Sequence, residues 1–550
     1  MIQDLWYKNA VVYCLDVETF MDGNGDGVGD FAGLQRRLDY LAGLGVTCLW
    51  LMPFHPSPNR DNGYDITDHY GVDPRLGSSG DFVEFTHQAR QRGMRVIIDL
   101  VVNHTSDQHP WFQSARKDPN SRYRDYYVWA DKKPKDAHKG MVFPGSQSTT
   151  WTYDKEAKAW YFHRFFPFQP ELNVANPAVR EELLKVMGYW LELGVSGFRV
   201  DAVPFLIELK GLKGHGIKDP YELLREMREF LSWRSGDAIL LAEANVTMDE
   251  VMQFFGKDGE RMQLVFNFPA NQNFFLSLVT EDATPLAEAL ASAPRLPHTA
   301  QWANFLRNHD ELDLGRLPAA ARKRVFQELG PEPRMQLYGR GLRRRLAPML
   351  SGDRRRLELA FSLMLSLPGT PVLWYGDELG MGEDLSQHER QSVRAPMQWS
   401  TEPHGGFTHA DTPFRPVISE PPYGYPTVNV EAMRRDPASL LNWMERMVRM
   451  RKECPELGWG QWRLLKVRPA NVLALRFDWK DQSLVTLHNL SGKACEVTFN
   501  PGGPPSRLIH ALSDAPSAPG PAGRHRITLE GYGYRWFRVA PVNSAQEQTD

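Results

Sequence analysis

Eight short, nearly unbroken apolar runs alternate with amphipathic segments as far as about residue 455, and this alternation restricts the fold more than any other feature of the chain. The runs are AVVYCLDV (10–17), VTCLWLMP (46–53), RVIIDLVV (95–102), GFRVDAV (197–203), ILLAEA (239–244), LVFNF (264–268), ANFLRNHD (303–310) and PVLWYGDE (371–378). A strand with one wet face alternates apolar and polar residues, whereas a strand covered on both faces is apolar throughout, as in parallel sheets flanked by helices. Helical-period segments at 176–193, 220–233, 355–366 and 438–453 supply such cover. Eight strand–helix units predict an α/β fold, a closed (β/α)8 TIM barrel.

Two gaps are longer than a simple crossover. Residues 104–174, after the third strand, are rich in Trp, Tyr, Phe, Pro and Lys and predict a small inserted domain. Residues 311–352 predict a lid-like insertion after the seventh strand, leaving 1–103 and 175–455 for the barrel. Both insertions depart from strand ends where active-site loops grow. Beyond 455 the pattern changes to short alternating runs such as NVLALRFDW, SLVTLHNL and YGYRWFRV. These predict a C-terminal antiparallel β-sandwich over 456–541, with 542–550 as a loose tail.

A formal net charge of −3 offers no field for nucleic acid or for anionic lipid. The arginine runs LRRR (342–345) and RRR (354–356) lie among helical-period apolar residues and read as solvated helix faces. Cys14, Cys48, Cys454 and Cys495 have no CxxC spacing, which argues against zinc and against a disulfide framework. No basic head precedes an apolar run at the start, and no apolar run reaches about 18 residues. The expectation is a cytoplasmic enzyme without membrane or nucleic-acid partners, free to form a homo-oligomer.

Several strands end abruptly in charged or imidazole side chains. RVIIDLVVNH delivers Asp99, Asn103 and His104, and GFRVDA delivers Arg199 and Asp201. ILLAEAN delivers Glu243, and NFLRNHDE delivers Arg307, Asn308, His309, Asp310 and Glu311. A carboxylate after a buried run costs several kcal/mol unless it is paired or opens onto a wet cleft. Four strands ending this way in one barrel point to a shared cleft at the face where barrel enzymes carry catalysis. Three acids and two histidines without metal-ligand spacing fit cleavage of a glycosidic bond. That reaction needs one protonated carboxyl for the leaving oxygen and one carboxylate for the anomeric carbon, roughly 5–5.5 Å apart in a retaining enzyme.

DLVVNH, GFRVDA, LLAEAN and FLRNHD, in this order, resemble the four core motifs of the α-amylase family, glycoside hydrolase family 13. DNGYD (61–65), QPELN (169–173) and VRAPMQW (393–399) extend the resemblance. It implies Asp201 as nucleophile, Glu243 as general acid/base and Asp310 as a third acid gripping sugar hydroxyls. It further implies that His104, Arg199 and His309 stabilise charge and bind the same glucose unit, while Asp61, Tyr64 and Arg394 close the pocket. WYKNAVVY, FLRNHDEL and PVISEPPYGYPTVNVEA resemble the trehalose-synthase branch, and QPELN the oligo-1,6-glucosidase branch. In the latter, Ala after the nucleophile, here Ala202, goes with α-1,4 bonds. The resemblance thus implies a retaining enzyme for short α-1,4-linked glucosides such as maltose, with no organic cofactor and with internal glucosyl transfer. A plain hydrolase, or a transglucosidase with another acceptor, stays open; the remotest reading is a non-catalytic relative that binds sugar or protein.

The stretch MDGNGDGVGDF (21–31) interleaves Asp22, Asn24, Asp26 and Asp30 with glycines, as a calcium loop would. A hand-type loop takes a bidentate Glu at its twelfth position, which here is Gly33, so this is no switch-like hand. The family resemblance implies a structural Ca2+ held by Asp22, Asn24, Asp26, the Val28 carbonyl and Asp30; a glycine-rich turn without an ion is the alternative.

Overall fold

The computed structural model describes residues 5–208, 219–513, 516–520 and 523–541. The expected tail, 542–550, lies outside them. Eight parallel strands close a barrel: β1 (Val12–Leu15), β2 (Cys48–Leu51), β3 (Arg95–Leu100), β4 (Gly197–Val200), β5 (Ile239–Ala242), β6 (Leu264–Phe266), β7 (Gln301–Phe305) and β8 (Thr370–Trp374). They follow one another in chain order around the barrel, and β8 pairs with β1. Each of the eight apolar runs overlaps one strand, although β7 and β8 begin before their runs, at Gln301 and Thr370. Almost every strand residue is buried, because side chains face the barrel interior on one side and helices on the other.

Local chemistry sets the element ends. Gly197, at φ 150°, opens β4 so close to β5 that a Cβ there would lie 2.4 Å from the Ile239 carbonyl oxygen. The helix Pro177–Glu192 starts where the Asn176 side chain accepts from the Ala178 N–H, with proline in its first turn. Its stripe of Val179, Leu183, Val186, Met187 and Trp190 is buried against the barrel. Glu222–Arg234, Arg354–Ser366 and Leu440–Lys452 cover other strands in the same way.

After β3 the chain leaves the barrel to form the helix Pro110–Lys117 and a three-stranded antiparallel sheet. In that sheet Ala159–Phe162 lies between Trp129–Ala130 and Trp151–Asp154, over a small core of Val128, Ala137, Trp151 and Phe162. After β7, the helix Ala319–Leu329 stands beside a ribbon of Leu312–Asp313, Gly341–Leu342 and Gln336–Leu337. The C-terminal part sets a six-stranded antiparallel sheet against the ribbon Cys495–Phe499 and His525–Leu529, with Val485, Leu487, Val497, Leu508 and Leu529 between them. Trp536 Nε1 ties it to the barrel helix by donating to Ser362 Oγ at 3.0 Å. No helix among the described residues is long and apolar enough to cross a membrane.

One expectation fails. The LRRR run does not lie on a solvated helix face: Leu342 ends a two-residue strand and Arg345 is fully buried. Its guanidinium is retained inside because it donates to the Tyr375 and Val393 carbonyls and lies 3.4 Å from Asp377 Oδ1. Arg343 donates to the Leu385, Gln387 and Glu389 carbonyls. The run therefore pins the loop after β8, the loop that carries Arg390 and Arg394.

Candidate active site

Strand register brings the acids together. Arg199 on β4 pairs with Asp99 on β3 and with Leu241 on β5. Two residues further along each strand, Asp201 and Glu243 stand side by side on neighbouring strands with side chains on the same face. The Glu243 N–H donating to the Val200 carbonyl at 3.2 Å carries the pairing to that level. Neighbouring strands lie about 5 Å apart, which brings both carboxyls within reach of one guanidinium.

Arg199 joins this group from below. Its Nη1 contacts Asp99 and lies 2.7 Å from Asp201 Oδ1, and its Nη2 lies 2.6 Å from Glu243 Oε2. Trp50 Nε1 donates to Asp99 Oδ2 at 2.9 Å. One guanidinium cannot neutralise three buried carboxylates, so the protons redistribute. Burial, against the pull of Arg199 and with help from Asp201 and Asp310, pushes the Glu243 carboxyl up to about 7. Burial pushes Asp201 up to about 6, Arg199 again opposing and Asp99 and Asp310 adding.

Asp310, beyond the end of β7, is set the other way. Burial would raise it, but Arg390 Nη1 at 3.0 Å and Arg394 Nη2 at 3.2 Å hold it well below the ordinary carboxylate range, with His309 Nε2 at 3.2 Å beside it. His309 Nε2 also meets the Tyr64 hydroxyl at 2.8 Å, and burial keeps its imidazole neutral. His104 Nε2 bonds the Tyr64 carbonyl at 3.1 Å, and burial lowers its pKa to about 4. Asp61 accepts from Gln169 Nε2 at 2.8 Å and is pushed by burial up to about 6.

A cavity of about 810 Å³ opens above these groups. Asp61, Tyr64, His104, Asp201, Glu243 and Asp310 line it. Arg199, His309 and Arg394 stand behind that wall, fully buried, and reach the cavity through the groups they hold. Arg390 also lines the cavity and was not singled out from the sequence. Its only signal was a second arginine four residues before Arg394 in ERQSVRAPMQW.

The loop 22–30 is folded by its own hydrogen bonds. Asp22 Oδ1 accepts from the N–H groups of Asn24 and Gly25, Asp26 Oδ1 from Val28, and Asp30 Oδ1 from Gly33. Among the described residues no three acidic, histidine or cysteine side chains are close enough to hold a metal ion. The donors are nonetheless all oxygen, as a hard cation requires. Asp26 is exposed, so its carboxylate is free to turn toward a cation.

A model of the α-amylase catalytic domain matches residues 16–326 and 343–460. A model of the sucrose hydrolase-like C-terminal domain matches 482–538. A trehalose synthase of Thermus thermophilus is 43% identical over 98% of this chain, which spans 56% of that protein. A trehalose synthase of Pimelobacter sp. (strain R48) is 40% identical, with 97% of this chain and 96% of that protein aligned. Among solved structures, an α-amylase from H. orenii superposes with TM-score 0.78 at 27% identity, covering 97% of this chain and 99% of the other. The trehalulose synthase MutB does so with TM-score 0.76 at 26% identity, covering 97% and 100%. Barrel, acids and alignments agree, and the chain belongs to the α-amylase family.

Proposed function

We propose that this enzyme interconverts maltose and trehalose by moving a glucosyl group within one cavity. Asp201 attacks the anomeric carbon of the non-reducing glucose while Glu243 gives its proton to the leaving O4, releasing glucose and leaving a glucosyl ester on Asp201. The released glucose turns and offers its own anomeric hydroxyl. Glu243, now a carboxylate, takes that proton as the oxygen attacks the anomeric carbon of the glucosyl ester, so the bond from that carbon to Asp201 breaks and trehalose forms. Asp310, kept ionised by Arg390 and Arg394, would grip the hydroxyls of the transferred sugar. His104 and Tyr64 would flank it, and Asp61 would close its far end.

The observation that carries this reading is the tie between the two insertions across the cavity. Arg340 Nη1 donates to the Val142 carbonyl at 2.7 Å, and the rings of Phe143 and Tyr338 lie 4.8 Å apart. Ser146 Oγ donates to Glu389 at 2.8 Å, which fastens the first insertion to the loop after β8 as well. A roof fastened in this way excludes water from the glucosyl ester and keeps the first product near. The segment 311–352 would act as the lid. The trehalose synthases among the relatives support the same reaction.

Incubation with maltose and analysis of the products tests it. Trehalose accumulating ahead of glucose supports the reading, glucose alone replaces it with hydrolysis, and longer oligosaccharides replace it with transfer to other acceptors. The loop 22–30 would hold Ca2+ through Asp22, Asn24, Asp26, the Val28 carbonyl and Asp30, stiffening the chain beside β1 without entering the reaction.

A further inference from the structure

Arg164 lies in the wall of the same cavity as Asp201 and Glu243. Its side chain is only 3% exposed, yet its Nε and Nη2 make no hydrogen bond among the described residues. Nη2 is ion-paired with Glu208 Oε2 at 2.8 Å and Nε lies 3.7 Å from Glu171 Oε2, so carboxylates meet the charge while neither nitrogen makes a hydrogen bond among the described residues. A buried guanidinium with unmet N–H donors is costly unless something else supplies oxygens.

The surroundings show where such oxygens would come from. The Arg164 guanidinium lies 4.7 Å from the ring centre of Phe205, four residues after Asp201. Phe205 meets Phe165 at 5.5 Å, and Phe165 meets His104 at 5.1 Å. A continuous wall thus runs from the donor glucose position to Arg164. Glu208, whose side chain is 47% exposed, lines the cavity beside it. A planar cation, a carboxylate and an aromatic face around one space match a hexose, which has hydroxyls at its edge and an apolar ring face.

We propose that Arg164 and Glu208 form the acceptor subsite, holding the hydroxyls of a glucose whose ring rests against Phe205. The inference builds on the glucosyl-transfer reading above and assigns the residues that decide between sugar and water as acceptor. Arg164 takes no part in bond making; it positions the acceptor.

The test uses the full chain, an aryl α-glucoside as donor and isotopically labelled glucose as acceptor. It measures the partition of glucosyl groups between disaccharide and water as glucose is raised. In Arg164→Met and Glu208→Gln the glucose concentration giving half-maximal transfer is expected to rise about tenfold or more, the loss expected for a charge-assisted hydrogen bond. Arg164→Lys is expected to recover part of the loss, since it keeps the charge and loses the fork. An unchanged partition with lower total turnover would mean that the pair merely fastens the insertion, and would overturn the proposal. So would a wild-type enzyme whose partition does not respond to glucose. If Arg164→Met fails to fold, Glu208→Gln and Arg164→Lys carry the comparison. A wild type that makes no trehalose from maltose would defeat the isomerase reading alone, because labelled glucose still reports on the subsite.

Discussion

Asp201 and Glu243 share one guanidinium, with Arg199 Nη1 2.7 Å from the first and Nη2 2.6 Å from the second. The sharing orders their protonation. Burial pushes Glu243 to about 7 and Asp201 to about 6, each restrained by Arg199, so near neutrality Asp201 ionises first and Glu243 keeps its proton. The proposed mechanism needs that combination: on it, the nucleophile is lost as pH falls through the lower value, and the acid is lost as pH rises through the upper one. The rate constant kcat/KM for maltose should trace a narrow bell with arms near pH 6 and pH 7. A plateau extending above pH 9 would contradict the assignment of Glu243.

The same shifts bear on stability. A carboxyl with a raised folded pKa favours the fold while protonated, and that contribution disappears as pH rises through the folded value. Glu243→Gln removes the ionisation, so the variant should gain on the wild type as pH rises from the ordinary value of 4.5 to the folded value of about 7, hold that gain above it, and show none near pH 4. Thermal unfolding at pH 5 and pH 8 should show the difference in Tm widening by a few degrees, alongside near-complete loss of turnover. A constant difference would mean that Glu243 is ionised even in the acid range.

These carboxyls were legible in the sequence because each follows an apolar strand, so the pattern that announced the barrel also announced its wet end. Register supplied what the sequence could not: Arg199 level with Asp99 and Leu241, and hence Asp201 beside Glu243. Arg390 escaped notice because it sits in a loop without periodicity, where a side chain's target depends on the path of the chain. Arg345 was misread for the opposite reason. Its run looked helical, and the Tyr375 and Val393 carbonyls and Asp377 around it explain its burial.

Arg390 reaches Asp310 with Nη1 at 3.0 Å and Glu311 with Nε at 2.7 Å, so it both holds Asp310 ionised and ties it to the insertion after β7, the proposed lid. Arg390→Met should lower kcat/KM for maltose by roughly 10- to 100-fold, the worth of one buried charged hydrogen bond. It should also raise the share of glucose among the products, because the lid loses one of its anchors. Steady-state rates with product analysis read both; a large fall in rate with an unchanged product ratio would separate Arg390 from the lid.

If the loop 22–30 takes Ca2+, the ion binds only the folded state, and chelator-treated protein should regain several degrees of Tm on titration with calcium. Asp26→Ala should abolish that gain at little cost without the ion, since Asp26 is exposed and bonded only within its own turn. The arms of the pH profile should not move. A Tm indifferent to calcium would leave the loop as a turn closed by its own hydrogen bonds.

Ala202 connects backbone geometry to the acid. It sits at φ 50° and ψ 36°, in the left-handed region, and its N–H points at Glu243 Oε2 from 3.4 Å. That bond favours the ionised carboxylate, restraining the rise that burial imposes. A β-branched residue tolerates this conformation poorly. Ala202→Val should therefore cost about 1–3 kcal/mol of stability and loosen the N–H contact, moving the basic arm of the profile upward. Ala202→Gly, which adopts the same angles without strain, should keep the arm in place. Denaturant unfolding paired with pH–rate profiles reads both effects. A valine variant with wild-type stability and an unmoved arm would show that the turn after Asp201 has no part in setting the proton on Glu243.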